Sequence, residues 1–148
     1  MTPLRITDNC LPNSLARLAE IAALERHGML DRLISDFHEG SNRFSRPGEG
    51  LWVMHEGEDA IAVGGVNIDP YYDDSSLGRI RHLYVHPERR CCGVGTGLMM
   101  LIEGGGAAYF ESYQLFTANP VAAKFYEALG YARVEGRYKV SHAKRVLV

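Results

Sequence analysis

Leu83-Tyr84-Val85-His86-Pro87-Glu88-Arg89-Arg90-Cys91-Cys92-Gly93-Val94-Gly95-Thr96-Gly97-Leu98 is the stretch whose reading decides the fold. Its apolar start reads as a strand. Pro87 ends that strand, because proline has no N–H for the ladder. After Gly93-Val94-Gly95 a helix is predicted from about Gly95 to Phe110. A helix start carries unpaired N–H groups and the positive end of the helix dipole, so it attracts phosphate. Glycine lets the backbone approach the anion and reach positive φ. Arg89 and Arg90 add charge-assisted contacts. By local composition alone, the same residues equally fit a plain strand-to-helix turn with solvated arginines.

Two phosphate motifs fail here. A Walker A loop needs Gly-Lys-Ser/Thr, and the chain has none. A dinucleotide fingerprint needs a third glycine where Leu98 or Met100 stands, and no βαβ unit leads the chain.

Working outward, Ile80–Val85 is a strand and Asp69–Ser76 a polar, tyrosine-bearing connection. Leu51–His55 and Ala60–Ile68 read as a hairpin across Glu56-Gly57-Glu58-Asp59. Glu39–Gly50 is a loop rich in glycine and proline. Leu30, Leu33, Ile34 and Phe37 keep helical spacing. So do Leu11, Leu15, Leu18, Ile21 and Ala22, which predict a helix over 12–27 stopped by Gly28. Leu4–Thr7 is a short first strand. Downstream, Tyr113–Thr117 is a strand and Pro120–Leu129 a helix, with final strands at Tyr131–Glu135 and Lys144–Val148. The order βααβββαβαβ(β) predicts an α/β, helix-flanked mixed sheet.

Asn119-Pro120-Val121-Ala122-Ala123-Lys124-Phe125-Tyr126-Glu127-Ala128-Leu129-Gly130-Tyr131 is the second informative stretch. Asn119 suits an N-cap and Pro120 the first helical position. Val121, Phe125, Ala128 and Leu129 form an apolar stripe read as core, and Gly130 caps the end. Tyr126 falls near the edge of that stripe, either as an amphipathic rim residue or with its hydroxyl in a cleft.

These two stretches resemble the signatures of the GNAT superfamily of N-acetyltransferases. Arg90-Cys91-Cys92-Gly93-Val94-Gly95 matches R/Q-x-x-G-x-G/A, and Asn119 to Tyr131 matches N-x-x-A-x-x-F-Y-x-x-x-G-F/Y. The resemblance covers essentially all of 1–148 as one domain, most specifically 80–135. It implies the acyl-CoA N-acyltransferase fold, whose mixed sheet splays between strands 4 and 5, here Ile80–Val85 and Tyr113–Thr117. It also implies acetyl-CoA as acetyl donor and a primary amine of a small molecule or peptide as acceptor, by direct attack. Leu83 and Val85 would hold the thioester carbonyl and pantetheine amides through their backbone. The N–H groups of Cys91, Cys92, Gly93, Val94, Gly95 and Thr96 would receive the pyrophosphate, with Arg90 beside it. Asn119 would contact the cofactor arm. Tyr126 would protonate the leaving thiolate, being protonated at neutral pH. A homodimer is common among such relatives.

Many relatives carry a carboxylate or histidine on the fourth strand as base. The matching positions here are Arg79 and Arg81, which accept no proton near pH 7. They are open to two readings, a solvated strand face or an attraction for an acidic acceptor. His82 and Tyr84 are the remaining candidates. His82 faces away under strand alternation unless a bulge intervenes. An amine arriving neutral needs no base. The missing carboxylate also fits an alternative, a catalytically silent acyl-CoA-binding or sensory module. Two departures stand out. Cys91-Cys92 replaces basic or small loop residues, and Gly104-Gly105-Gly106 falls inside the third helix, where each glycine costs about 1 kcal/mol relative to alanine.

Composition sets the outer bounds. The 148 residues carry 46% hydrophobic residues and a net charge of −2. That argues against a nucleic-acid or anionic-membrane binder, which shows a basic stripe. No signal-peptide pattern and no membrane-length apolar run occur, so a cytoplasmic protein is expected. Three cysteines make no disulfide framework, and the six histidines lack metal-site spacing, so no metal is expected.

Overall fold

The computed structural model describes residues 1–146. Its seven strands form one sheet in the order β1-β2-β3-β4-β5-β7-β6, antiparallel at every pairing except β4–β5. β2 (Gly50–Glu56) and β3 (Asp59–Ile68) make the hairpin read from sequence, with Gly57 in the left-handed region at its tip. β4 (Leu77–Val85) starts three residues ahead of the expected Ile80. β5 (Ser112–Leu115) stops two residues short of Thr117. β1 (Thr2–Arg5) lies two residues earlier than predicted, because its ladder pairs Thr2 with His55 and Arg5 with Trp52. β6 shrinks to Ala132–Arg133 and β7 is His142–Arg145. Residues 147 and 148 of the predicted last strand lie outside the described residues.

Four helices cover the two faces. α1 (Ser14–Leu24) ends earlier than the predicted 27, where Arg26 turns left-handed at φ 65°. Gly28 then serves as N-cap of α2 (Met29–Glu39) instead of stopping α1. Leu15, Leu18, Leu30, Leu33 and Phe37 pack on Leu51, Val53, Val63 and Tyr84 from one face of the sheet. On the other face, Leu98, Met99 and Ile102 of α3 (Val94–Gly106) pack on Met54, Ala62, Val66 and Ile80. Fully burying one such side chain contributes roughly 1.5–3 kcal/mol.

α3 ends at Gly106, four residues before the predicted Phe110. The N–H groups of Tyr109 and Phe110 fold back on the Gly106 carbonyl at 2.9 and 3.0 Å and return Phe110 to the core. This accounts for one residue of the glycine run. A Cβ on Gly106 would lie 2.6 Å from the Tyr113 hydroxyl and 2.8 Å from Phe110 Cδ2, so glycine is what lets β5 approach. Gly104 and Gly105 face open space.

α4 (Pro120–Ala128) is capped as expected. Asn119 Oδ1 accepts from the N–H groups of Val121 and Ala122 at 2.8 and 3.4 Å. Its burial differs from the sequence reading. Ala123 and Tyr126 are the buried residues, whereas Val121 is 78% exposed and Phe125 half-buried. The apolar stripe of α4 therefore faces a cleft wall as well as the core, and periodicity does not distinguish the two. No helix among the described residues is long and apolar enough to cross a membrane.

Candidate active site

β4 and β5 pair over three positions only, Leu77 with Ser112, Gly78 with Tyr113 and Arg79 with Gln114. Beyond them β4 runs on to Val85 while β5 ends, and the strands part around a cleft of about 760 Å³. Both predicted walls line it, together with the glycine turn, Asn119 and Tyr126.

The turn is built as the sequence predicted. Pro87–Arg89 adds a short 3-10 turn, held by the Glu88 N–H to His86 Nδ1 at 3.1 Å. Cys91 and Gly93 are both left-handed, at φ 63° and 81°. The first bond of α3 is Gly97 N–H to Gly93 C=O at 3.0 Å, so Val94, Gly95 and Thr96 have N–H groups without helical partners. A Cβ on Gly95 would press on Phe125 at 3.2 Å, so this glycine also serves the contact between α3 and α4. Cys91 and Cys92 are exposed free thiols.

The two arginines of the turn are not free. Arg89 pairs with Glu56, Nη2 to Oε1 at 2.5 Å. Arg90 reaches Glu25, the residue that caps the end of α1, through Nη1 and Nη2 at 3.0 and 2.7 Å, and its Nε donates to the Val85 carbonyl at 3.0 Å. The same Glu25 accepts from the Tyr84 hydroxyl, over whose ring Arg90 also lies at 5.4 Å. The Arg90 and Tyr84 hydrogen bonds hold the Glu25 carboxyl below the usual carboxylate range. Burial, with Glu25 beside it, pushes the Tyr84 hydroxyl up to about 12. Neither Glu25 nor Tyr84 is poised as a base.

A bulge sits in β4. Val63 pairs with Tyr84 and Gly65 with Arg81, so two residues of β4 oppose one of β3, and His82 takes φ 59°. The bulge breaks the strict alternation that turned His82 away, and His82 lines the cleft. Burial, with Arg81 adjacent, lowers its pKa to about 4, so it is a neutral imidazole and a weak base at pH 7. Leu83 follows at the cleft wall.

Arg79 does not present a free charge. It is 5% exposed, with Nε on Asp69 Oδ2 at 2.9 Å and Nη2 on the Lys139 carbonyl at 2.8 Å. Gln114 Nε2 donates to the same Asp69 oxygen at 2.8 Å. The group ties β4, β5 and the 134–141 segment together where the strands begin to part. Arg81 is different: its one hydrogen bond, among the described residues, runs from Nη1 to Asn67 Oδ1 at 3.3 Å.

Tyr126 is 8% exposed, its ring set edge-on to Phe125 and Tyr131. Its hydroxyl has no hydrogen-bond partner among the described residues and is not sealed from solvent, so it opens on the cleft. Burial raises its pKa, which keeps the proton on the oxygen.

Sequence reasoning missed several lining residues. His27 comes from the α1–α2 connection, Met29 from the start of α2, and Phe116, Val121 and Phe125 from the far wall. No motif marks His27, whereas Phe125 and Val121 were visible as an apolar stripe and assigned to the core.

The sequence profile of the acetyltransferase (GNAT) domain matches residues 47–133. No curated protein matches the chain in sequence. Among solved structures, a presumed acetyltransferase from Exiguobacterium sp. 255-15 is 28% identical, with a TM-score of 0.84 over 97% of this chain and 92% of that one. A GNAT-family acetyltransferase from Staphylococcus aureus Mu50 has a TM-score of 0.72 at 11% identity, covering 99% of this chain and 100% of that one. An aminoglycoside 6'-N-acetyltransferase complexed with coenzyme A has a TM-score of 0.69 at 16% identity, covering 100% and 98%. The last two likenesses speak to the fold alone. With the profile spanning more than half of the chain, over the glycine turn, the cleft and α4, this protein belongs to the GNAT acetyltransferase family.

Proposed function

We propose that this acyltransferase moves the acetyl group of acetyl-CoA to a primary amine of a small molecule or peptide by direct attack. One observation carries the reading. A single cleft joins unpartnered N–H groups at a helix start to an unpartnered, protonated tyrosine hydroxyl. A pantetheine-linked thioester needs that pairing of an anion cradle at one end and a proton donor at the other.

The site residues fit the cofactor. The N–H groups of Val94, Gly95 and Thr96, with those of Cys91, Cys92 and Gly93, receive the pyrophosphate. Arg90 stands beside them at the cost of loosening its bond to Glu25. The backbone of Leu83 and Val85 holds the pantetheine arm, and the Val85 carbonyl becomes free when Arg90 Nε leaves it. Asn119 keeps its oxygen on the cap of α4 and offers its NH₂ to the arm. Acetyl-CoA supplies an acyl thioester.

The acceptor nitrogen bonds to the carbonyl carbon as the carbon–sulfur bond breaks, and Tyr126 gives its proton to the departing sulfur. The nitrogen then loses a proton to water and a proton from water restores the Tyr126 hydroxyl, since no carboxylate among the described residues lines the cleft. A general acid of this kind contributes about 10²-fold or more to the rate. The exposed free thiols fit a reducing, cytoplasmic setting.

Tyr126→Phe tests the assignment. It should lower kcat about 10²-fold and leave the Kd for coenzyme A within twofold. Unchanged turnover removes Tyr126 from this role. Thiol release from acetyl-CoA across an amine panel separates a transferase from a silent binding module.

A further inference from the structure

The cleft has an unusual charge census. Among the described residues its lining includes four arginines and two histidines, and no aspartate or glutamate. Arg89 and Arg90 belong to the pyrophosphate end and are paired with Glu56 and Glu25. Toward the start of β4 stand Arg79, Arg81 and His82, while His27 packs on Tyr84, ring centroids 5.9 Å apart, beside the Arg90 end. Arg79 is neutralised by Asp69. Arg81 has no ion pair among the described residues, and its Nε and Nη2 donate to nothing there.

The nearby carboxylates make no direct contact with Arg81, and Glu49 is linked to it through Asn67. Glu49 is buried and accepts from Asn67 Nδ2 and from the N–H groups of Arg46 and Ile68. Asp36 pairs with Arg32 at 3.9 Å, and Asp74 turns back on Ser76. Lys139 adds a further cation near this mouth, over the face of the lining Tyr71 at 4.2 Å.

We infer that the acceptor is an amine that also carries a carboxylate, and that Arg81 is the residue that selects it. This rests on the acetyl-transfer reading above. Arginine presents a planar fork that matches a carboxylate through two parallel N–H···O bonds. With Nη1 on Asn67, the edge formed by Nε and Nη2 is the one left to bind. The same census disfavours a polycation. An aminoglycoside or polyamine would bring like charges against Arg81 and would find no carboxylate among the described lining residues to receive them. The aminoglycoside acetyltransferases that share this fold do so at 16% and 19% identity, so they do not bear on the acceptor.

The experiment measures acetyl-CoA-dependent thiol release by the full chain. Its acceptors are a panel of amino acids, each beside its carboxamide, with kanamycin and spermidine. Each acid should exceed its amide and both polycations in kcat/KM by about tenfold, the worth of one charge-assisted contact. Arg81→Gln should raise the KM of the acid about tenfold, keep kcat within twofold and close the gap between acid and amide. Arg81→Lys, which keeps the charge and loses the fork, should fall between. Preference for kanamycin or spermidine overturns the proposal. So does equal use of acid and amide by the unaltered protein. Calorimetry of the acids with coenzyme A-saturated protein separates the two readings. Acids that bind without thiol release overturn the transferase and leave the Arg81 site standing. Coenzyme A binding without any binding of the acids overturns the site.

Discussion

The Arg90 guanidinium spans both carboxylate oxygens of Glu25, Nη1 to Oε2 at 3.0 Å and Nη2 to Oε1 at 2.7 Å, and so fastens the glycine turn to the end of α1. The pair is half-exposed, and exposed ion pairs are worth roughly 0.2–1 kcal/mol. A pyrophosphate that recruits Arg90 must displace that carboxylate.

Glu25→Gln should therefore tighten coenzyme A binding, by up to about fivefold. Calorimetry at two salt concentrations reads it, with the gain larger at low salt because exposed charges are screened. Weaker binding in this variant would mean that Glu25 positions Arg90 for the anion instead of competing with it.

His82 makes stability depend on pH. Its pKa is about 4 in the folded protein, lowered by burial and then by Arg81, with Asp36, the Met29 backbone and Arg32 also bearing on it. The unfolded value is about 6.5. The folded pKa is the lower one, so the contribution is complete above about pH 6.5 and is lost as pH falls toward 4. By pH 5 about 2 kcal/mol should be gone. Urea unfolding at pH 7.5 and pH 5, compared with His82→Asn, checks the sign, since asparagine tolerates the left-handed backbone. An equal loss in both proteins refutes it.

The glycine run of α3 should split by position. Gly104→Ala and Gly105→Ala meet no neighbour within 4 Å and should each stabilise by up to about 1 kcal/mol, the difference in helix propensity. Gly106→Ala drives a methyl into Tyr113 and Phe110 and should cost about 1–3 kcal/mol. Thermal melts of the three variants decide it, and a uniform response would discard the packing account of Gly106.

Tyr131 carries a buried hydroxyl with no hydrogen-bond partner among the described residues. Burial raises its pKa, so it is a neutral, unsatisfied group. Tyr131→Phe should stabilise the protein by about 1 kcal/mol, because the desolvation penalty disappears while the ring contact with Tyr126 stays. A lower melting temperature would mean that the hydroxyl has a partner such as an internal water.

The order of strands and helices, the glycine turn and the Asn119 cap were all readable from sequence. Each depends on contacts within a few residues: a proline that ends a strand, an asparagine that caps the next turn, a helix start that exposes N–H groups. Long-range contacts decided the rest. The β4 bulge sets His82 on the cleft because two residues of β4 oppose one of β3, and no local pattern carries that count. Val121 and Phe125 looked like core because a cleft wall and a core surface are equally apolar. Arg79 and Arg81 are two residues apart on one strand and look alike in sequence. Asp69 and the Lys139 carbonyl, 10 and 60 residues away, neutralise the first and leave the second with a free edge. The sequence by itself thus determined the fold and the glycine turn that opens α3. Only the tertiary structure decided which charges remain unpaired, because pairing depends on residues that folding alone brings together.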